Sequence, residues 1–89
     1  MPSYALTLVL KSELDEKARQ ELLSSVTKKM DKVEKEDFWG VRDLAYPIKH
    51  QSKGWYAHYQ FLAEPSSVAP LDKSLKMEED VIRYLLVRM

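Results

Sequence analysis

Bulky apolar residues alternate with small or polar ones at four places along the chain, and in two stretches between them apolar residues recur every third or fourth position. Tyr4, Leu6, Leu8 and Leu10 alternate with Ala5, Thr7 and Val9, the period-two pattern of a strand with one face toward a core. Leu44, Tyr46 and Ile48 alternate in the same way with Ala45, Pro47 and Lys49. Trp55, Ala57, Tyr59 and Phe61 alternate with Tyr56, His58 and Gln60, and Ile82, Tyr84 and Leu86 with Arg83, Leu85 and Val87. Ala18, Leu22, Val26 and Met30, with Leu23 beside them, form a narrow apolar stripe on an otherwise charged segment, which predicts a helix ending near Asp31. Asp15 is placed to cap it and Glu16 to complement its dipole. Val68, Leu71 and Leu75 mark a second, short helix opened by Pro65 with Ser66 or Ser67, and Pro70 is expected in its first turn.

The order strand, helix, strand, strand, helix, strand makes two βαβ units. With right-handed crossovers it predicts an α+β, ferredoxin-like βαββαβ fold. Its four-stranded antiparallel sheet would have the order 4-1-3-2 and both helices on one face. At 89 residues this is expected to be a single domain, 1–89, with one core. Pro47 cannot donate to a ladder, so the second strand belongs at a sheet edge. The phase that turns Leu44 inward also turns Arg42 inward and Trp39 outward, and Gly40 between them marks a bulge. Residues 32–37 read as the frayed start of this strand. Gln51, Ser52, Lys53 and Gly54 read as a polar turn.

Composition removes several function classes. The chain holds no cysteine, two glycines and two histidines, His50 and His58. It therefore lacks disulfides, thiolate metal sites, a phosphate-binding glycine loop and the usual nucleophile signatures. No catalysis, cofactor, metal or small-molecule substrate is expected. No apolar run approaches the roughly 20 residues that span a bilayer. With no basic or Arg-rich leader at the amino terminus, a cytoplasmic protein is expected.

Fourteen basic residues balance fourteen acidic ones, which removes long-range attraction to a polyanion. The balance is not local. Between residues 38 and 62 Arg42, Lys49 and Lys53, with His50 and His58, face a single acid, Asp43. If helices cover one side of the sheet, Tyr56, His58 and Arg83 are left on the other, with Lys49 and Lys53 at the hairpin. These residues offer stacking surfaces and phosphate contacts, or are ordinary cross-strand pairs. Trp39 and Arg42 admit packing and ion pairing as readily as recognition. Leu85 and Val87 form either a small partner surface or scattered apolar exposure.

One contiguous stretch carries a resemblance. Gly40, then Arg42, Asp43, Leu44, Ala45, Tyr46, Pro47, Ile48 and Lys49 resemble the signature of the sixth protein of the bacterial small ribosomal subunit, the S-six family. Tyr4, Gly54-Trp55-Tyr56, Leu71, Leu75 and Val81-Ile82-Arg83 follow in that family's order, so nearly the whole chain is covered. The chain departs from the family in a short link between first helix and second strand, without glycines, and in having no tail after Met89. The resemblance implies a structural, non-enzymatic component of the small subunit in the cytoplasm. Its partners would be 16S rRNA, in the central domain, the eighteenth small-subunit protein and other small-subunit components. The candidate rRNA contacts are Arg42, Lys49, Lys53, Arg83 and Arg88, and the candidate partner surface is Trp39, Leu85 and Val87. The same residues also admit a stand-alone RNA-recognition-like module, or a small dimeric ferredoxin-like enzyme or ligand-binding domain.

Overall fold

The computed structural model describes residues 1–48 and 51–89, with side chains described for 1–44 and 52–89. Its elements are β1 (Ser3–Lys11), α1 (Glu16–Thr27), β2 (Lys32–Ile48), β3 (Gln51–Leu62), α2 (Pro65–Met77) and β4 (Val81–Arg88). The strands form one sheet in the order β2-β3-β1-β4, and each neighbouring pair is antiparallel. This is the expected ferredoxin-like topology. Pro47 lies on β2, an edge strand as its missing N–H requires; its side chain lies outside the described residues.

Both helices pack on one face. Tyr4, Leu6, Leu8 and Leu10 of β1 join Ala57, Tyr59 and Phe61 of β3 in a buried cluster with Leu23 and Val26 of α1 and Leu71 and Leu75 of α2. Leu22 and Leu86 pack half-buried against it. Leu6, Leu8, Tyr59, Phe61 and Leu71 are fully buried, so inward residues of the two central strands make the floor of the core. The Asp15 carboxylate accepts from the Ala18 amide at 2.7 Å and starts α1 as expected. The helix stops at Thr27, earlier than Asp31, although Met30 beyond it is still buried. α2 opens at Pro65 as expected, but Pro70 falls past its first turn, where the helix forgoes one of its hydrogen bonds.

Three other departures follow from pairing. Residues 32–37 are paired strand and not frayed, since Lys32 already pairs with Leu62 and Val33 with Phe61, with a register shift at Glu34 before Lys35 pairs with Gln60. Ser52, Lys53 and Gly54 lie within β3, where Asp43 pairs with Lys53 and Arg42 with Gly54, so they are not a turn. Ladder hydrogen bonds outweighed their polar, turn-like composition. On β4 the register shifts so that Val9 pairs with Arg83 and Leu10 with Val81. Ile82 is the buried extra residue of this bulge, and Val81 takes the core position at that end of the strand.

Candidate functional site

The face of the sheet away from the helices brings residues of all four strands together in rows. His58 pairs with Asp37 on one side and with Thr7 on the other, and Thr7 pairs with Leu85. In the next row Gly40 pairs with Tyr56, Tyr56 with Val9, and Val9 with Arg83. Beyond it Arg42 pairs with Gly54 and Gly54 with Lys11.

Gly40 bends the β2 end of these rows. Its φ of 76° lies in the left-handed region that glycine tolerates. The β2–β3 register shifts here, from Phe38 against Ala57 to Gly40 against Tyr56. Trp39 is the unpaired extra residue. Its ring lies nearly parallel to His58, at 6° with centroids 5.8 Å apart, and at 22° and 6.1 Å from Tyr56. The Arg42 guanidinium stands 6.0 Å from the indole centroid. Arg42 was expected to point inward with Leu44. It is instead exposed on the helix-free face beside Trp39, because the bulge resets the alternation. Leu44 lies on the same face, its Cδ2 3.5 Å from where a Gly54 Cβ would stand.

The centre of this face is more closely packed than its edges. Val9 is buried, and a Cβ on Gly54 would come 2.3 Å from its Cγ1. Gly54 is thus required by close approach across the sheet and not by a turn. Thr7 Oγ1 and His58 Nδ1 are 3.0 Å apart. Toward β4, Thr7, Val9, Tyr56, Arg83 and Leu85 surround a shallow depression of about 180 Å³. Leu85 and Val87 are exposed beside it, at 61% and 43%.

Charges on this face are partly tied down. Lys35 Nζ lies 3.6 Å from Asp37 and Lys11 Nζ 3.8 Å from Asp80. Among the described residues, no ion pair within 4.0 Å holds Arg42, Lys53 or Arg83. Arg42 and Lys53 share a shallow cleft with Val41 and Asp43 at one end of the sheet. Arg88 is set apart: it lies on the helix side, near Tyr4, Pro65, Val68 and Asp72. Lys49 and His50 lie outside the described residues. Among the described residues, no group of three or more His, Asp and Glu side chains is arranged to hold a metal ion, and no helix is long and apolar enough to cross a membrane.

The model of the family described as Ribosomal protein S6 matches residues 3–88. The chain belongs to this family. The small ribosomal subunit protein bS6 of Alkaliphilus metalliredigens is 37% identical over 92 residues, covering 100% of this chain and 98% of the relative. That of Desulforamulus reducens is 36% identical over 92 residues, covering 99% and 97%. Against bS6 of Acidiphilium cryptum the identity is 33%, and the chain spans 59% of that relative's length. The crystal structure of 30S ribosomal protein S6 from Thermotoga maritima superposes with a TM-score of 0.91 at 22% identity, covering 99% of this chain and 87% of that one. An uncharacterised protein of the same organism shares the fold at a TM-score of 0.62 and 19% identity, covering 99% of this chain and 96% of that one. Family membership makes this a structural protein of the small ribosomal subunit, cytoplasmic with the ribosome, and not an enzyme.

Alternation in the sequence located Tyr56, His58 and Arg83 on the helix-free face. It did not locate Leu44 there, nor the Thr7–His58 contact, nor the sunken Val9. Each depends on register between strands, which Gly40 and the β4 bulge decide.

Proposed function

We propose that the chain, acting as one ferredoxin-like domain, binds the central domain of 16S rRNA jointly with the eighteenth small-subunit protein, through the helix-free face of its sheet. The observation that carries this is the composition of that face. Arg42 at the β2 end and Arg83 on β4 are cations of this face with no ion pair among the described residues, Lys53 shares the Arg42 cleft from the opposite face of β3, and Leu85 and Val87 stand exposed on β4. In this reading Arg42, Lys53 and Arg83 contact phosphates, as does Lys49, which lies between Arg42 and Lys53 in the sequence. Leu85 and Val87 dock on the protein partner. Arg88, on the helix side, contributes to a separate part of the RNA or not at all.

Net charge supports joint binding. A chain with fourteen cations and fourteen anions gains little from counterion release by itself, so its affinity depends on a surface completed by a neighbour. The deciding experiment is reconstitution: the chain is added to a central-domain rRNA fragment with and without the eighteenth protein, and occupancy is read by gel shift. Retention only with the partner supports the proposal, and tight binding without it favours a stand-alone RNA-binding module.

A further inference from the structure

Trp39 is separated from Leu85 by strands β3 and β1, about 14 Å at the usual strand spacing. Its neighbours are instead cationic or aromatic. The ring lies nearly parallel to those of His58 and Tyr56, the Arg42 guanidinium stands over it at 6.0 Å from its centroid, and the side chain is still 44% exposed. A surface indole would ordinarily lose rotamer freedom on meeting a ligand. Here the bulge and the two rings already hold it flat.

We propose that Trp39 is a stacking site for an unpaired nucleobase of RNA, with Arg42 taking the adjacent phosphate. This rests on the RNA-binding reading and refines it: the β2 end of the face takes single-stranded nucleotides, and the β4 end takes protein. Stacking accepts any base, because each has a π-face, but it needs a base free of its own duplex stack. Asp37, the nearest acid in the row, is neutralised by Lys35 at 3.6 Å and so does not repel the phosphate. The Phe38 ring, 51% exposed, turns to the other side of β2 against Trp55 and Tyr59, and therefore does not compete for the base.

The test uses the full chain carrying Trp55→Phe, which leaves Trp39 as its fluorophore, after circular dichroism has shown it folded. Short oligoadenylate should quench Trp39 emission, and a duplex RNA of equal charge should not. Trp39→Ala should weaken oligoadenylate binding by about tenfold or more, the scale of losing one base–aromatic stack. Trp39→Tyr should restore most of it, which a merely space-filling role would not require. Arg42→Gln should flatten the salt dependence while leaving the quenching amplitude at saturation. Equal quenching by the duplex, or none by either RNA, would overturn the inference. So would a Trp39→Ala variant that binds oligoadenylate normally but fails to capture the eighteenth protein, since that result gives Trp39 to the protein partner. In any of these cases an intact joint complex on rRNA would leave the broader proposal standing.

Discussion

The Tyr84 hydroxyl donates to the Asp72 carboxylate at 2.6 Å, tying the last strand to the second helix. The bond, with burial acting against it and Lys76 assisting, holds the Asp72 carboxyl below its ordinary range. Burial, then the bond and the charge of Asp72, push the Tyr84 hydroxyl up to about 12. Tyr59, by burial and the nearby Glu36 carboxylate, is raised in the same direction. A tyrosine raised in the folded state contributes stability that is whole below its unfolded value near 10.0 and lost as pH rises through the folded value. Asp72 contributes in the opposite sense, above its unfolded value near 3.8, and that contribution is lost as pH falls. Denaturation midpoints should therefore decline between pH 10 and 12 and again in acid. Tyr84→Phe should lower the neutral-pH midpoint and flatten both slopes; a variant with unchanged slopes would show that the bond does not persist in solution.

Leu75 is 2% exposed, in the core where α2 meets the sheet. Leu75→Ala should destabilise the fold by about 2–5 kcal/mol through lost burial and an unfilled cavity. That is a large share of what a domain of this size has. Chemical denaturation measures it directly, and an unchanged midpoint would contradict the placement of α2.

Gly54 and Val9 give a second packing test on the other face. A Cβ at 2.3 Å from a stiff, β-branched side chain cannot be relieved by rotation of a long tail. Gly54→Ala should destabilise by about 1–3 kcal/mol. Adding Val9→Ala should recover part of that loss, a coupling that a double-mutant cycle detects. Additive losses would mean that the strands move apart to admit the methyl.

Much of the fold was legible because its devices are local. Period-two alternation in β1 and β3, the Asp15 cap, and Pro47 as an edge marker each act within a few residues. Gly40 as a bulge was legible for the same reason, since a left-handed residue between two strand segments leaves little alternative. What the bulge does to Arg42 and Leu44 was not. A single inserted residue exchanges the two faces for everything beyond it, and sequence alternation runs through the insertion without recording on which side the chain resumes. The apolar pair Val81 and Ile82 hid the β4 bulge in the same way, because either residue satisfies a core position. The lysines and arginines of the candidate site were visible as charges, but the grouping of Arg42 with Trp39 depends on the β2 register, whereas Arg88 lies on the helix side in phase with Tyr84 and Leu86, as alternation along β4 already implied.

Leu85 separates assembly from folding. It is 61% exposed, so Leu85→Asp leaves a hydrated charge on the free protein and should shift the thermal midpoint little. At an interface that carboxylate would be buried without a partner. Capture of the eighteenth small-subunit protein should therefore fail while the variant still melts cooperatively. Normal capture would move the interface off β4.

The most direct measurement of joint binding is the affinity of the chain for a central-domain 16S rRNA fragment, titrated with and without a saturating amount of the eighteenth protein over a range of salt. Weak binding alone and strong binding with the partner are expected. Neutralising Arg42, Lys53 or Arg83 should reduce the magnitude of the salt slope by about one each. Equal affinity with and without the partner, or a salt slope that none of the three substitutions changes, would contradict the assignment of the helix-free face as the shared surface for RNA and protein.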